Sequence, residues 1–374
     1  MLKRTALYRS HEKLGGKLIE FGGWEMPVQY TSITDEHLAV RQAAGVFDIS
    51  HMGEVTVSGQ GAAAFLDLVL TNDINRLAPG EGQYTLMCNE QGGVIDDLYA
   101  YQLSDTVYFL VINASRIDAD VAWLKAQAAK FSGDLCLTDA SHNYAAIAVQ
   151  GPRVKEFINS VICGPSTSAK RVQAVTDLEK NQIAGFTCEN HSVLVSRTGY
   201  TGEDGFEIVG GDDTILRLWD KVLSVGKPFG IKPAGLGARD TLRTEVCYPL
   251  YGHELDESTT PIEAGLGFFV ALDKGEFNGR SVMAEQKAHG AKKKLVAFKM
   301  VGRTAPPRPH YPIVVNGARQ GVVVSGTQSP TLNIGIGMGY LPPEFARPDT
   351  AIEIEVRGKL VPAVVVKKPF YRKP

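Results

Sequence analysis

Two adjacent carboxylates, Asp96 and Asp97, interrupt the apolar run Gly92-Gly93-Val94-Ile95-Asp96-Asp97-Leu98-Tyr99-Ala100-Tyr101. The run follows a glycine turn and reads as a sheet strand, whose successive side chains point to opposite faces. The two acids therefore cannot share one role. An acid held among apolar and aromatic groups must find a hydrogen bond, a cation or a proton. That makes one of them a candidate catalytic group, with Tyr99 and Tyr101 offering surface for a planar ligand. Asp97 shares a face with Ile95, Tyr99 and Tyr101, and Asp96 with Val94, Leu98 and Ala100. Alternation alone does not choose between them, and an Asp-Asp turn or a salt bridge is the bland competitor.

The segment Ser196-Arg197-Thr198-Gly199-Tyr200-Thr201-Gly202-Glu203-Asp204-Gly205-Phe206-Glu207-Ile208 carries three glycines within seven residues. Such density forces a convoluted loop that enters a strand at Phe206. Glu207, just inside that strand, can accept two parallel N–H bonds from a guanidine-like ligand edge. A plain hairpin with an exposed acid would not need so much turn chemistry. Further on, Pro233-Ala234-Gly235-Leu236-Gly237-Ala238-Arg239 lacks both phosphate-loop and dinucleotide glycine spacings. Its glycines precede a helix start, where Arg239 opposes the dipole and calls for an acid or an anionic ligand. Arg243 is the better candidate for an internal ion pair. His51 beside Ser50 is no catalytic triad and reads as a packed loop residue near the cavity. No metal spacing such as His-Glu-x-x-His occurs, so no metal is expected.

Strands expected at 84–88, 94–101 and 107–112 form an antiparallel set joined at 89–93 by hairpin turn chemistry. Ser115 is expected to cap a helix seated through Ile117, Val121, Leu124 and Ala128. A second helix is expected over 213–225, with Leu216, Trp219 and Leu223 on its buried stripe and Gly226 as its stop. Strands interleaved with such helices indicate an α+β body. After Gly290 the pattern changes to short β-branched runs at 295–300, 313–315, 321–324, 352–356 and 360–366. This reads as a closed barrel or sandwich. The expected domains are 1–287, in two interleaved lobes, and 288–374.

The 374 residues exceed what one core serves, and 44% hydrophobic with 21% charged residues is ordinary for a globular chain. A net charge of −2 gives no broad reason to bind nucleic acid or an anionic membrane. No lipid-spanning stretch or signal segment is evident. Five scattered cysteines support neither a disulfide framework nor structural zinc. A bacterial cytoplasmic protein is the expectation.

The chain resembles the glycine cleavage T-protein, or aminomethyltransferase, family over essentially its whole length. Phe21-Gly22-Gly23-Trp24-Glu25-Met26-Pro27, Gly45-Val46-Phe47-Asp48-Ile49-Ser50-His51-Met52, residues 92–98, 197–207 and 235–240 carry the likeness. So do Tyr251-Gly252-His253-Glu254-Leu255-Asp256-Glu257, residues 325–332 and Lys367-Lys368-Pro369-Phe370-Tyr371-Arg372. The resemblance implies a three-lobed folate-binding fold with a C-terminal β-barrel. It assigns the key acid to Asp97. It implies that Tyr84 and Tyr200 line a pterin cavity, that Glu207 holds the amino-pyrimidine edge, and that Arg239, Tyr248 and Arg372 lie near the glutamate portion.

The implied reaction moves an aminomethyl carbon from the lipoyl arm of H-protein to tetrahydrofolate, releasing ammonia and giving 5,10-methylenetetrahydrofolate. A folate-dependent demethylase or formaldehyde-transfer module and a non-enzymatic folate-binding or RNA-modification support protein are the alternatives. The latter's lysine-glycine-cysteine motif is replaced here by residues 252–257. The segments at 304–312 and around Asn333 and Gly335 depart from the family pattern.

Overall fold

A computed structural model describes residues 2–302 and 304–373. The chain divides into two compact units, residues 1–85 with 97–239 and residues 86–96 with 240–374. The fold is α+β, as the alternation of strand and helix patterns led us to expect.

The first unit holds a six-stranded sheet in the order Ile183–Cys188, His191–Ser196, Gly205–Gly210, Ala145–Gln150, Ala44–Asp48 and Ile231–Pro233. Its neighbours are antiparallel except the last pair, which is parallel. One face is covered by helix Asp212–Gly226, which buries Ile215, Leu218, Trp219 and Val222 against Val46, Ile147, Phe206 and Ile208. The stripe is rotated from the expected one: Trp219 is shared, but Leu216 is exposed and Leu223 only half-buried. The positions i, i+3, i+4 and i+7 counted from Ile215 give a continuous apolar row, which Leu216 and Leu223 merely flank.

The second sheet is ordered Glu81–Cys88, Val94–Ser104, Val107–Ile112, Gly53–Ser58 and Cys136–Asp139. Helix Ile117–Ala128 buries Ile117, Val121 and Leu124 as expected, whereas Ala128 is only half-buried. Ser115 does not cap it. A 3-10 turn at Ala114–Arg116 precedes the helix, so Arg116 takes the cap position without a side-chain bond.

The second unit contains the tip of the 81–104 hairpin. Asn89 closes it twice: its N–H donates to Gly93 O at 2.9 Å, and its Oδ1 accepts from Gly93 N–H at 2.9 Å. Only glycine fits at 93, because a Cβ there would lie 1.8 Å from Glu257 O. Six strands close into a barrel, in the order Lys294–Met300, Gly335–Leu341, Ala318–Gln328, Pro312–Val315, Ala351–Val356 and Lys359–Val366. Phe298, Ile313, Val323, Ile352, Ile354 and Val365 fill its core. Closure pairs every strand on both edges and leaves none exposed. The Gly335–Leu341 strand was not foreseen. Its alternating glycines resemble a loop in sequence, yet a Cβ at Gly337 would lie 2.6 Å from the Phe298 ring. The glycines admit side chains of the neighbouring strands, such as Phe298, the register partner of Gly337.

Candidate functional site

Asp97 stands on the Val94–Ser104 strand in the first unit and is half-buried, whereas Asp96 is fully buried. The Asp97 carboxylate is gripped from two sides. Tyr84 O–H donates to Oδ2 at 2.8 Å, and Asn113 Nδ2 donates to Oδ1 and to the Asp97 carbonyl, each at 3.0 Å. Asn113 follows the neighbouring strand Val107–Ile112, whose register pairs Tyr99 with Val111 and Tyr101 with Phe109. Sheet pairing thus brings Asn113 beside Asp97. Both of these donors are neutral groups, and together they fix the orientation of the carboxyl.

From Asp97 an aromatic path runs along the same strand. Tyr84 meets Tyr99 edge-on with ring centres 6.5 Å apart, and Tyr99 stacks on Tyr101 at 5.2 Å. Tyr101 O–H and Thr198 Oγ1 are 3.0 Å apart, and Thr198 O–H donates to Glu207 Oε2 at 2.5 Å. Thr198 also lies 2.8 Å from Ser196 Oγ, so one hydroxyl gathers three polar neighbours. Burial raises the pKa of Glu207, against the opposing pull of the Thr198 bond and the Arg239 charge. Burial beside Glu207 likewise drives the Tyr101 phenol well above its usual range.

The loop that carries Thr198 and Tyr200 is held from several directions. Arg197 makes a two-bond fork on Asp204 at 2.9 and 2.7 Å, with Lys155 adding a contact at 3.0 Å. Together they hold the Asp204 carboxyl down to about 2, against the upward effect of burial. Arg41 reaches Thr201 O at 2.7 Å and pairs with Glu203 at 2.8 Å, both side chains almost fully buried. Gln150, from the sheet, donates to Thr198 O at 3.0 Å and accepts from Thr201 O–H at 3.1 Å. Gly199 permits that approach, since a Cβ there would lie 1.8 Å from Gln150 Oε1. The glycine density noted in the sequence is thus a requirement of a backbone folded around Gln150.

Arg239 belongs to helix Leu236–Glu245, and its guanidinium lies over the Tyr200 ring, 4.7 Å from the centroid. The start of that helix is fixed by buried Glu36, which accepts from Gly235 N–H at 2.9 Å and from the Tyr30 and Thr31 amides. His51 is buried edge-on to Phe21, as a packed loop residue should be. Burial, with the Arg239 charge, lowers its pKa to about 4.

Five of the expected residues, Tyr84, Asp97, Tyr200, Glu207 and Arg239, therefore fall within the first unit, and the contacts above join them. Tyr248 and Arg372 belong to the second unit. Tyr248 is half-buried, its N–H donating to Arg243 O at 2.9 Å, while Arg372 is exposed next to Tyr371, whose N–H donates to Glu245 O at 2.9 Å. Arg243 is buried and structural, paired with Glu254 at 2.9 Å and Asp240 at 2.8 Å and donating to Ser325. Sequence reasoning did not single out Asn113, Thr198 or Glu54. Asn113 was legible only as the end of a strand. Glu54, on Gly53–Ser58, reads as an ordinary solvent-face acid yet is 1% exposed.

A small cavity beside this network is lined by Met52, Glu54, Tyr101, Val111, Ser196 and Glu207, among others. It combines apolar walls with two carboxyls and has room for about one oxygen-sized group. Among the described residues no cluster of three or more His, Cys, Asp or Glu is placed to hold a metal. None of the described helices is long and apolar enough to cross a membrane.

Residues 7–274 match the family model described as the GCVT N-terminal domain, and residues 293–372 that of the glycine cleavage T-protein C-terminal barrel domain. The aminomethyltransferase of Bacillus subtilis (strain 168) is 46% identical over 374 residues, covering 100% of both chains. That of Bacillus cereus (strain AH187) is 47% identical over 373 residues, covering 100% of this chain and 99% of the relative. The crystal structure of glycine cleavage system aminomethyltransferase T from Bartonella henselae superposes with a TM-score of 0.90 at 33% identity, covering 100% of this chain and 99% of the other. Fold, barrel and relatives agree, and the chain belongs to the glycine cleavage T-protein family of aminomethyltransferase enzymes.

Proposed function

We propose that this enzyme transfers the aminomethyl carbon carried on a sulfur of the lipoyl arm of H-protein to tetrahydrofolate, releasing ammonia, leaving the dihydrolipoyl thiol on H-protein and forming 5,10-methylenetetrahydrofolate. The observation that carries this reading is the continuous path from Asp97 through the tyrosines and Thr198 to Glu207. One end offers negative charge, the other an acceptor for a ring's N–H edge.

In this reading Glu207 holds the amino-pyrimidine edge of the reduced pterin, while Tyr84 and Tyr200 line its faces. Arg239, Tyr248 and Arg372 serve the glutamate portion. Tetrahydrofolate, when bound, supplies the nucleophilic amines. Asp97, oriented by Tyr84 and Asn113, stabilises positive charge developing where the carbon changes partners. The fixed position of that carboxylate supplies orientation as well, because no side chain must reorganise during transfer. The apolar and aromatic walls strengthen the interaction by lowering the local dielectric.

A domain boundary near residue 287 would set the folate-handling region apart from the barrel. A cytoplasmic location is part of the same proposal. The test supplies aminomethyl-lipoyl H-protein with and without tetrahydrofolate and follows ammonia and methylenetetrahydrofolate together. Rapid formation of both should require both substrates. Methylene product formed from a methylated small substrate without H-protein would contradict the reading.

A further inference from the structure

Glu54 has no role in the chemistry above, yet its position is unusual. It lies on the penultimate strand of the second sheet, Gly53–Ser58, which runs between Val107–Ile112 and the edge strand Cys136–Asp139. Its main chain is satisfied, with its N–H donating to Ser141 Oγ at 3.1 Å. Its side chain is buried, and Oε2 has no hydrogen-bond partner. Leaving a buried carboxyl oxygen unpaired is costly, and folded chains rarely retain one without a use. Glu54 lines the same cavity as Glu207, Tyr101 and Ser196. The free space there, measured to the centres of a water-sized sphere, is about 20 Å³. That suffices for about one oxygen-sized group and not for a second ligand.

We infer that Glu54 is a specificity-determining residue of the Glu207 cavity: its unpaired carboxyl oxygen bonds a carbonyl oxygen of the heterocycle, donating its O–H, while Glu207 accepts from the N–H edge of the same ring. The inference rests on the assignment of Glu207 to the pterin. The two carboxyls then play opposite parts, one accepting from donors and one donating to an acceptor. A ring bearing an oxo group beside an amino-substituted amidine edge matches that pair. A ring with an amino group in place of the oxo group does not. Burial, and then the Asp139 charge, raise the Glu54 pKa to about 9, so the donor proton is present at neutral pH. The titratable groups facing it are Asp139 from Cys136–Asp139, Tyr101 from Val94–Ser104 and Glu207 from Gly205–Gly210.

The experiment measures, by calorimetry, binding of tetrahydrofolate and of its 4-amino counterpart to the wild-type chain, Glu54→Gln and Glu54→Leu. Circular dichroism checks that each variant is folded. Wild type should prefer the 4-oxo ring. Glu54→Gln, which keeps an N–H donor, should bind it within about threefold. Glu54→Leu should bind it roughly tenfold more weakly, the scale of a lost buried hydrogen bond, with little change for the 4-amino ring. Wild-type affinity should also decline as pH rises through about 9, a limb that Glu54→Gln should lack. A folded Glu54→Leu with wild-type affinity and unchanged 4-oxo preference would overturn the inference alone. If the wild-type chain bound no reduced folate, the Glu207 assignment would fall, and this inference with it.

Discussion

Two carboxylates at opposite ends of an aromatic path have different work in this account, and they should respond differently to loss of charge. Glu207 is proposed to act on binding. Its replacement by Gln keeps shape but substitutes two donor hydrogens for one acceptor oxygen, facing the ligand's own donors. Folate affinity should fall by about 1.5–3 kcal/mol, the range for a hydrogen bond to a charged group, with a smaller effect on turnover at saturation. Unchanged affinity by calorimetry would remove Glu207 from the pterin edge. The sequence could name both acids but could not choose between Asp96 and Asp97 by alternation. The physical reason is visible in the fold: Asp96 is wholly buried and Asp97 half-buried, so neither faces open solvent in the way a clean alternation requires. Only family resemblance pointed to Asp97. Glu54 escaped notice because a buried acid and a solvated one look alike in a strand.

Elements were legible where one periodicity dominated. Helix 213–225 emerged as Asp212–Gly226, and most barrel strands emerged near their expected limits. What stayed hidden depended on contacts between distant segments. The glycine-bearing Gly335–Leu341 strand is a strand because its neighbours fill the space over its glycines. The 197–205 loop is organised by Arg41 and Gln150, both remote in sequence. At this scale the sharpest perturbation is Gly199→Ala. The added methyl would collide with Gln150, whose own bonds to Thr198 and Thr201 leave it little room to withdraw. Loop distortion should shift Thr198 and Tyr200 and weaken folate binding about tenfold or more. The sheet core, which Gly199 does not enter, should keep the thermal unfolding midpoint within a few degrees. A midpoint collapse, or intact folate affinity, would show that the loop is organised differently.

For the molecule as a whole, the buried acids shape the pH dependence of stability. The folded-state pKa of Glu54, about 9, exceeds its ordinary 4.5. The folded chain therefore binds more protons than the unfolded chain between those values, and Glu54 costs stability progressively as pH rises through that window. Replacing Glu54 with Gln removes the titration. The melting temperature of Glu54→Gln, relative to wild type, should climb from about pH 5 to about pH 9. A difference that stayed flat would mean that the carboxyl is ionised at neutral pH in the folded chain. At the acid end the sign reverses. Asp204, held down to about 2 by Arg197 and Lys155, supports folding above its ordinary 3.8 and loses that contribution as pH falls toward 2.

The proposed reacting centre is the Asp97 carboxyl, held by Tyr84 and Asn113 at the head of the aromatic path. Single-turnover transfer from aminomethyl-lipoyl H-protein, at saturating tetrahydrofolate, compares wild type directly with Asp97→Asn. Loss of a preorganised electrostatic stabiliser should slow transfer by roughly 10²–10³-fold, while folate affinity changes less than about threefold. A folded Asp97→Asn enzyme with near-normal transfer would contradict the assignment of the reacting centre to this carboxylate.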